Sequence, residues 1–339
     1  MKVLLTGSTG FLGGYLVNEL LSNGYEVIGI DNYSKYGKVK REFDNNPKYK
    51  FVEGDCKDIE KMKELASNCD HVIAAAAMIG GITYFHEFAY DLLAENERIL
   101  ASTFDAAISS FKSGKTKKIT VISSSMVFES TNLYPTPEEE VITSPPPKST
   151  YGFQKLSSEY YAKGAYEQYG LPYTIIRPFN CIGTGEGRAL SDKEVFSGNI
   201  KLAMSHVLPD LIQKVLKGQN PLHLLGDGKQ VRHYTHGKDL ARGIRLSLES
   251  NSAMNNDFNL STSRSTTVIE LAKIVWSQIK GNEEFQYILD DGFKYDVQKR
   301  VPSTNKAKEL LGFETEIDLE DGVKEVIDWI KSQIIAGNM

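Results

Sequence analysis

Residues 6–13 read TGSTGFLG and lie between a short apolar run and a segment with helical spacing. Residues 3–6 predict a strand, and residues 11–23 predict a helix because their apolar side chains recur at intervals of three and four. Glycines at positions 7, 10 and 13 would let the backbone approach a diphosphate, and the helix N-terminus would offer amides to it. The stretch therefore predicts a strand–loop–helix unit that binds a dinucleotide.

An acidic residue, Asp31, ends the second predicted strand, residues 27–31. A carboxylate there can hold the ribose hydroxyls of NAD and would repel the 2′-phosphate of NADP. Lys35 and Lys38 follow closely and keep NADP as an alternative, whereas the basic cluster from Lys35 to Arg41 is interpreted as a solvated loop. The sequence predicts NAD as the cofactor.

Short apolar runs alternate with helical segments through residue 180, which indicates parallel βαβ units. We predict an α/β fold, a Rossmann-type doubly wound parallel sheet with a smaller C-terminal substrate-binding lobe. Residues 1–180 would form the NAD-binding Rossmann domain, which also takes in a return segment near 230–262. Residues 181–339 would form mainly the substrate-binding lobe. The proline-rich segment 131–149 is predicted to be a surface loop.

Composition argues against several classes of protein. The 339-residue chain has 39 basic and 44 acidic side chains, a net charge of −5, which disfavours a nucleic-acid partner. Its three cysteines, Cys56, Cys69 and Cys181, form no zinc-binding pattern, so no metal is predicted. The N-terminus shows no signal-peptide pattern, and no apolar run is long enough for a membrane helix. We therefore expect a cytoplasmic protein without a membrane partner.

A tyrosine and a lysine four residues apart, Tyr151 and Lys155, would lie on one face of a predicted helix. An ammonium group beside a phenol favours the phenolate, which would let Tyr151 exchange a proton near neutral pH. The fifth predicted strand ends in three serines, residues 123–125, at the edge where ligands of open α/β sheets bind. A serine hydroxyl and the tyrosine could share a substrate oxygen, so these residues predict an oxidation–reduction site.

Together these motifs resemble the extended short-chain dehydrogenase/reductases of the NAD-dependent nucleotide-sugar epimerase/dehydratase family, over residues 1–330. Further marks of the resemblance are RPFN at 177–180, GDGKQVR at 226–232, and NKA at 305–307 ahead of LGF at 311–313. The family implies a nucleotide-sugar substrate, hydride transfer at a sugar hydroxyl or ketone, and a homodimer with the helices at 89–113 and 151–168 as candidate interface. Its members place the catalytic Ser or Thr four residues before an aromatic, so Phe128 selects Ser124, with Ser125 as the alternative.

Motifs and resemblance together give three predicted sets of site residues. The catalytic set is Ser124, Tyr151, Lys155 and His206. The cofactor-binding set follows the glycine loop and the strand ends: Gly7, Thr9, Gly10, Phe11, Leu12, Gly13, Asp31, Asn32, Asp55, Cys56, Ala75, Ala76, Ala77, Asn96, Ile122, Tyr151, Lys155 and Pro178. The substrate-binding set is Gly80, Gly81, Ser124, Ser125, Met126, Asn180, His206, Val207 and Arg232. By resemblance, Asp55 and Cys56 would contact the adenine, the three alanines would line the nicotinamide half, and Asn180 and Arg232 would hold the sugar diphosphate.

Two departures from family patterns bear on the reaction. Sugar dehydratases carry an Asp-Glu pair after the catalytic Ser or Thr, but this chain has Ser125 and Met126, and neither can act as the acid that expels a hydroxyl. Residues 76–82 and 90–96 are similar to segments of GDP-fucose synthases and GDP-mannose 3,5-epimerases. The catalytic histidine of GDP-fucose synthase corresponds to His206. Those enzymes pair the histidine with a cysteine where this chain has Met126, so His206 either exchanges a proton or only binds the substrate.

The resulting prediction is an NAD-dependent nucleotide-sugar epimerase that acts at C4 of a UDP- or GDP-hexose through a transient 4-keto intermediate. Asp31 supports it, because an enzyme that oxidises and re-reduces one carbon needs only NAD held in the site. One alternative is a GDP-fucose-synthase-like epimerase/reductase of a 4-keto-6-deoxy nucleotide sugar. An alternative of another class is a non-catalytic NAD-binding regulatory protein.

Overall fold

The computed structural model describes residues 1–79, 88–187, 195–202, 206–292 and 297–338. Its helices are α1 (Phe11–Ser22), α2 (Ile59–Ala66), α3 (Ala89–Lys112), α4 (Glu140–Thr143), α5 (Thr150–Tyr169), α6 (Val207–Leu216), α7 (Gly237–Glu249), α8 (Val268–Lys280), α9 (Asn305–Leu311) and α10 (Leu319–Ile335). Its strands are β1 (Lys2–Thr6), β2 (Glu26–Asp31), β3 (Tyr49–Glu53), β4 (His71–Ala74), β5 (Lys118–Ile122), β6 (Tyr173–Pro178), β7 (Cys181–Ile182), β8 (Val195–Ser197), β9 (Ile200–Leu202), β10 (Leu222–Leu225), β11 (Val231–Arg232), β12 (Thr235–His236), β13 (Asn256–Leu260), β14 (Thr266–Thr267) and β15 (Tyr287–Asp290).

The central sheet has seven parallel strands in the order β13-β6-β5-β4-β1-β2-β3. Parallel neighbours need long crossover connections, which here are mostly helices, and such sheets are covered on both faces. The strand order reverses between β1 and β4, and ligands of these sheets bind outside the carboxyl ends of the strands at that point. The predicted α/β fold with a Rossmann-type doubly wound parallel sheet is confirmed.

Helices bury both faces of this sheet. On one face α1 and α7 cover the sheet, and Leu16, Leu240 and Phe258 of β13 are buried in one hydrophobic cluster there. On the other face α2, α3 and α5 cover the strands, with Met62 and Phe104 in the core. Each such side chain contributes about 1.5–3 kcal/mol by leaving water. Burial on both faces explains why the strands read as short, continuous apolar runs.

A third hydrophobic cluster lies apart from the sheet. It is formed by α6, β10, α8 and α10, with Ile212, Leu222, Trp276 and Ile327 buried in it. The chain therefore builds a further core after residue 181, whereas β13 returns to the sheet. The assignment of domain boundaries stays a prediction. None of the helices in the described ranges has both the length and the apolar composition needed to cross a membrane.

A buried ion network joins the last strands of the sheet. Arg177 in β6 has no exposed surface, and its Nε and Nη2 donate to Glu159 of α5 at 2.8 and 2.7 Å. Its Nη2 also lies 2.8 Å from Oδ2 of Asp257 in β13. Glu159 accepts a further hydrogen bond from Ser123 Oγ at 2.7 Å. Because removing one partner would leave a buried charge uncompensated, this network holds β5, β6, β13 and α5 in one arrangement.

The segment 131–149 is not the plain surface loop that its prolines predict. Thr136 and Glu138 are buried. Glu138 Oε1 accepts the amide of Asn259 at 2.8 Å, and Asn259 Nδ2 donates to the Thr136 carbonyl at 3.1 Å. The segment therefore packs onto β13, 121 residues further along the chain. A prediction from local composition misses this, because the partner is distant in sequence.

Candidate active site

The loop between β1 and α1 forms an open cradle at the carboxyl edge of the sheet. Gly7 has a φ of +73°, and a Cβ there would lie 2.9 Å from the Cα of Ala76. A Cβ on Gly13 would overlap the carbonyl oxygen of Gly7. Helix α1 begins after Gly10, which supplies no side-chain cap. Within the described ranges, no backbone carbonyl accepts a hydrogen bond from the amide of Phe11. The cradle therefore fits a phosphate group, as the glycine spacing predicts.

The carboxylate of Asp31 lies beside this cradle at the end of β2. Its Oδ2 accepts the amide of Thr9 at 3.1 Å, and its Oδ1 accepts the amide of Tyr33 at 2.8 Å. Each carboxylate oxygen can accept more than one hydrogen bond, so Asp31 can still hold ribose hydroxyls. The next residue, Asn32, is exposed and accepts the amide of Ser34 at 3.0 Å. Asp31 thus orients the phosphate loop and stays suited to a dinucleotide.

The fourth strand ends at Ala74. The next two amides, those of Ala75 and Ala76, each donate to Thr6 Oγ1 at 3.0 Å. These alanines therefore turn over the phosphate loop, where Ala76 approaches the backbone of Gly7. Small side chains at this turn leave room for a flat ring above the sheet edge.

Asn96 acts on the same edge through the backbone of Met78. Its Oδ1 accepts the Met78 amide at 2.7 Å, and its Nδ2 donates to the Met78 carbonyl at 2.9 Å. Both polar ends of Asn96 are thus engaged by the chain, so this side chain fixes the position of the Met78 backbone. Nearby, the Cys56 thiol is buried against the backbone of Gly7, while Asp55 is half-exposed.

Ser124, Tyr151 and Lys155 meet at the carboxyl end of β5. Tyr151 and Lys155 lie in the first two turns of α5, whose N-terminus is capped by Ser149. The Ser124 hydroxyl is hydrogen-bonded to the phenol of Tyr151. The Lys155 ammonium lies 6.0 Å from the centre of the tyrosine ring and donates to the Ile122 carbonyl at 2.9 Å. The predicted trio is therefore brought together, and all three side chains are buried.

The three consecutive serines have different partners. Ser123 donates to Glu159 and belongs to the buried ion network. Ser124 is bonded to Tyr151 and accepts the amide of Met126 at 3.2 Å. Ser125 is buried in the following short 3-10 helix, Ser125–Phe128. This arrangement favours Ser124 over Ser125 as the hydroxyl that works with the tyrosine.

The electrostatic setting of Tyr151 differs from the one its spacing predicts. Burial raises the pKa of the phenol, while the hydrogen bond from Ser124 and the positive charge of Arg300 oppose that rise. Burial also lowers the pKa of Lys155 to about 8. Arg300 is therefore a further cation near Tyr151, besides Lys155, and the motifs did not single it out because no local pattern links it to the tyrosine.

A second polar group lies around β11. Asn180 has a φ of +33°, and its buried Oδ1 has no hydrogen-bond partner within the described ranges. The Arg232 guanidinium is buried and donates to the Val231 carbonyl at 2.9 Å. The amide of Arg300 donates to that same carbonyl at 3.1 Å, which brings Arg300 beside Arg232. Two guanidinium groups suit a diphosphate, and the Asn180 oxygen suits a sugar hydroxyl.

His206 stands at the N-cap of α6, followed by Val207 as its first helical residue. Its Nδ1 is hydrogen-bonded to the buried carboxylate of Glu186, and 46% of its side chain is exposed. One turn on, Asp210 has a buried Oδ1 without a partner among the described residues. Burial raises the Asp210 pKa to about 7, against the opposing charge of Lys214. The carboxylate of Glu186 thus orients the ring of His206.

Met126 fills the space next to Tyr151 with an apolar side chain. It is buried and packs with Tyr151 and Leu92. A thioether cannot transfer a proton, so this position supplies no second acid to the site.

The predicted substrate residues Gly80 and Gly81 lie outside the described residues. The roles of all these residues toward cofactor and substrate stay predictions.

The basic cluster that follows Asp31 divides into two kinds of side chain. Lys38 is exposed, and its Nζ lies 3.1 Å from Oε2 of Glu53. Arg41 turns inward instead, and its Nη2 donates to the Thr9 carbonyl at 3.0 Å. The interpretation of the whole cluster as a solvated loop is therefore wrong for Arg41, which lies against the phosphate cradle.

Known proteins are similar to this chain over nearly its whole length. Residues 3–261 match the model of the NAD dependent epimerase/dehydratase family. A Methanocaldococcus jannaschii protein, provisionally named a UDP-glucose 4-epimerase, is 29% identical over 331 residues, covering 97% of this chain and 98% of that protein. A UDP-N-acetyl-alpha-D-glucosaminuronate decarboxylase from Bacillus cytotoxicus is 26% identical, covering 97% and 98%. The crystal structure of a UDP-glucose 4-epimerase from Thermotoga maritima with UDP-glucose has a TM-score of 0.82 and 30% identity, covering 98% of this chain and 100% of that one.

These relatives catalyse different reactions over the same length, so overall similarity identifies the family and leaves the reaction open. The family consists of NAD-dependent enzymes, which fits the phosphate cradle and Asp31 and disfavours a non-catalytic role. The matched residues include the cradle, the serine-ended strand and the helix of Tyr151 and Lys155. With all three elements inside one match, the chain belongs to the NAD-dependent epimerase/dehydratase family.

Proposed function

We propose that the protein is a nucleotide-sugar epimerase that inverts C4 of a UDP- or GDP-hexose through a transient 4-keto sugar. The observation that carries the proposal is the buried, hydrogen-bonded pair of Ser124 and Tyr151, close to the charge of Arg300. Tyr151 would take the proton of the C4 hydroxyl, and Ser124 would hold the sugar oxygen. When bound, NAD supplies the means to accept and return a hydride.

The apolar side chain of Met126 supports epimerisation over dehydration. Loss of the C6 hydroxyl needs an acid beside the keto sugar, and Met126 packs against Tyr151 with no proton to give. Inversion at C4 needs proton transfer only at the C4 oxygen, which one phenol can perform in both directions. Arg232 and Arg300 would hold the diphosphate while the sugar ring turns over.

The similarity to the Thermotoga maritima enzyme with UDP-glucose, at 30% identity over the whole chain, favours a UDP-sugar as the substrate. The test is to incubate the protein and NAD with a panel of UDP- and GDP-hexoses in D2O and to follow the sugars by NMR. We expect C4 epimers, no net NADH, and no deuterium at C3 or C5. Products with stoichiometric NADH change would contradict the proposal.

A second candidate function is the epimerase/reductase of a 4-keto-6-deoxy nucleotide sugar. The specific observation in its favour is the contact between His206 Nδ1 and the buried Glu186, which orients the partly exposed imidazole. An imidazole held in this way could exchange protons at carbons next to a ketone. In a parallel D2O experiment with a 4-keto-6-deoxy nucleotide sugar and NADH or NADPH, this activity would incorporate deuterium at C3 or C5 and consume the reduced cofactor.

For the assembly, we propose a homodimer with α3 and α5 at the interface. Helix α5 exposes Phe153, Tyr160 and Tyr166, and α3 exposes Tyr90, which is more aromatic surface than two solvent-facing helices need. Light scattering should give twice the monomer mass, and Tyr160→Asp should shift the measured mass toward that of the monomer.

A cytoplasmic location is also proposed, supported by the three unpaired cysteines.

A further inference from the structure

Arg41 stands between β2 and β3 and directs its side chain toward the start of α1. Its Nη2 donates to the Thr9 carbonyl at 3.0 Å. A Cβ on Gly14 would lie 3.5 Å from the Arg41 Cζ, and a Cβ on Gly185 would lie 2.9 Å from its Nη1. The guanidinium therefore lies between the first turn of α1 and the loop at residues 183–187.

This position is electrostatically unfavourable for a cation by itself. The first amides of a helix carry the positive end of its dipole. Burial lowers the pKa of the Arg41 guanidinium, and its buried Nε has no hydrogen-bond partner in the part of the chain that the structure describes. The adjacent acid, Asp44, uses Oδ2 to accept the backbone amide of Arg41 at 2.9 Å. A partly buried guanidinium whose Nε has no such partner calls for an anion.

The diphosphate of NAD is the anion that this fold brings to the same point. In doubly wound sheets, the phosphates bind at the loop after β1 and the N-terminus of α1. Thr9 separates two functions there, since its amide donates to Asp31 and its carbonyl accepts from Arg41. Asp31 is suited to the ribose hydroxyls and would repel a 2′-phosphate, so the Arg41 side of the loop is left for the diphosphate.

We propose that Arg41 binds the diphosphate of the cofactor together with the amides of Phe11 and Leu12, and that it determines how tightly the protein retains NAD. A planar guanidinium can donate two parallel hydrogen bonds to phosphate oxygens, which a lysine cannot reproduce. The proposal rests on the cofactor of the family and not on the C4 reaction proposed above. Binding measurements test it without turnover, so one proposal can fail while the other holds.

The test is titration calorimetry on the full chain after removal of nucleotide, with NAD, ADP-ribose and NADP as separate probes. Arg41→Gln is expected to weaken NAD and ADP-ribose binding by the same factor, about 10- to 100-fold, because both carry the diphosphate. Arg41→Lys should recover part of that loss. Lys38→Gln is the matched control, since Lys38 is an exposed cation of the same segment. The affinity of this variant for NAD should stay within about twofold of the wild type.

Thermal melting provides a second, independent measurement. Without nucleotide, Arg41→Gln should melt at the wild-type temperature or above it, because the variant loses a partly buried charge. Saturating NAD should raise the melting temperature of the variant by less than it raises that of the wild type. Three results would overturn the proposal. They are NAD binding within about twofold of the wild type, weaker NADP binding with NAD unchanged, and a lower melting temperature without nucleotide combined with an undiminished NAD effect. The second would assign Arg41 to a 2′-phosphate, and the third would leave it a structural role.

Discussion

Tyr151 and His206 are both candidates for moving a proton, and the fold holds them in different ways. Tyr151 is buried at the start of α5, bonded to Ser124, in a helix that the buried Glu159 ties to the sheet. His206 precedes α6 with almost half of its side chain exposed and has one described carboxylate contact, Glu186. The comparison teaches that the position of Tyr151 depends on the core of the fold, whereas His206 can be replaced without rebuilding that core.

The largest effect is expected when the phenol is removed. Tyr151→Phe should lower kcat by about 10³-fold or more, because no other group in the trio can take the C4 proton. NAD affinity should stay within about threefold of the wild type, as measured by titration. Tyr160→Phe, an exposed tyrosine of the same helix, is the matched control and should retain full turnover. Turnover by Tyr151→Phe would contradict the assignment of the phenol.

The choice between two adjacent serines gives the next largest effect. Ser124→Ala should lower kcat by about 10²-fold, since it removes the hydroxyl bonded to Tyr151. Ser125→Ala should lower it by less than about fivefold. Both are measured from steady-state epimerisation rates, with circular dichroism to check the fold. The reverse order would move the catalytic role to Ser125.

Asp210, one turn into α6, is expected to make stability depend on pH. Burial raises its pKa to about 7 in the folded protein, well above the value of about 4 in an unfolded chain. Between these pH values the folded state keeps a proton that the unfolded state has released, so the contribution of Asp210 to stability falls as pH rises from about 4 to 7 and then levels off.

Asp210→Asn removes this dependence. In urea unfolding, its gain in stability over the wild type should grow from near zero at pH 4 to about 4 kcal/mol at pH 8. Asp328→Asn, an exposed residue of α10, should show no such trend. A difference that stays constant with pH would argue that Asp210 remains ionised in the folded state.

The smallest effect is expected at the exposed histidine. His206→Asn should slow C4 epimerisation by less than about tenfold, because the 4-keto route needs no proton at C3 or C5. Glu186→Gln should have the same or a smaller effect, since it acts through the orientation of His206. NMR in D2O measures both the rate and the exchange. Deuterium at C3 or C5 in the wild type that disappears in His206→Asn would instead favour the epimerase/reductase.

Local patterns predicted the parts of the molecule that depend on neighbours in sequence. The glycine loop and the pair of Tyr151 and Lys155 are both found where their spacing predicts them. Each is set by the geometry of one turn or one helix face, so a few consecutive residues contain all the necessary information.

Contacts between distant segments could not be predicted in this way. Arg300 acts on Tyr151 because β11 and the strand-like segment after residue 297 lie side by side. The Arg41 side chain donates to the carbonyl of Thr9, although β2 separates the two residues in sequence. The residues on either side of Arg41 are exposed, so the local pattern predicts a solvated side chain. The return segment near 230–262 was expected only in outline, although it contains both α7 and β13. Spacing along a chain does not encode which distant groups the topology brings together.

The position of β13 at the edge of the sheet affects how this protein is made on the ribosome. Six strands of the sheet are complete by residue 178, yet Arg177 meets Asp257, and Glu138 meets Asn259, only once residue 260 has emerged. Until then β6 is an open edge with a strand's worth of unpaired backbone groups. The nascent chain therefore has a sheet that lacks only β13 while about 80 further residues are synthesised. During that period the β6 edge would be accessible to a chaperone.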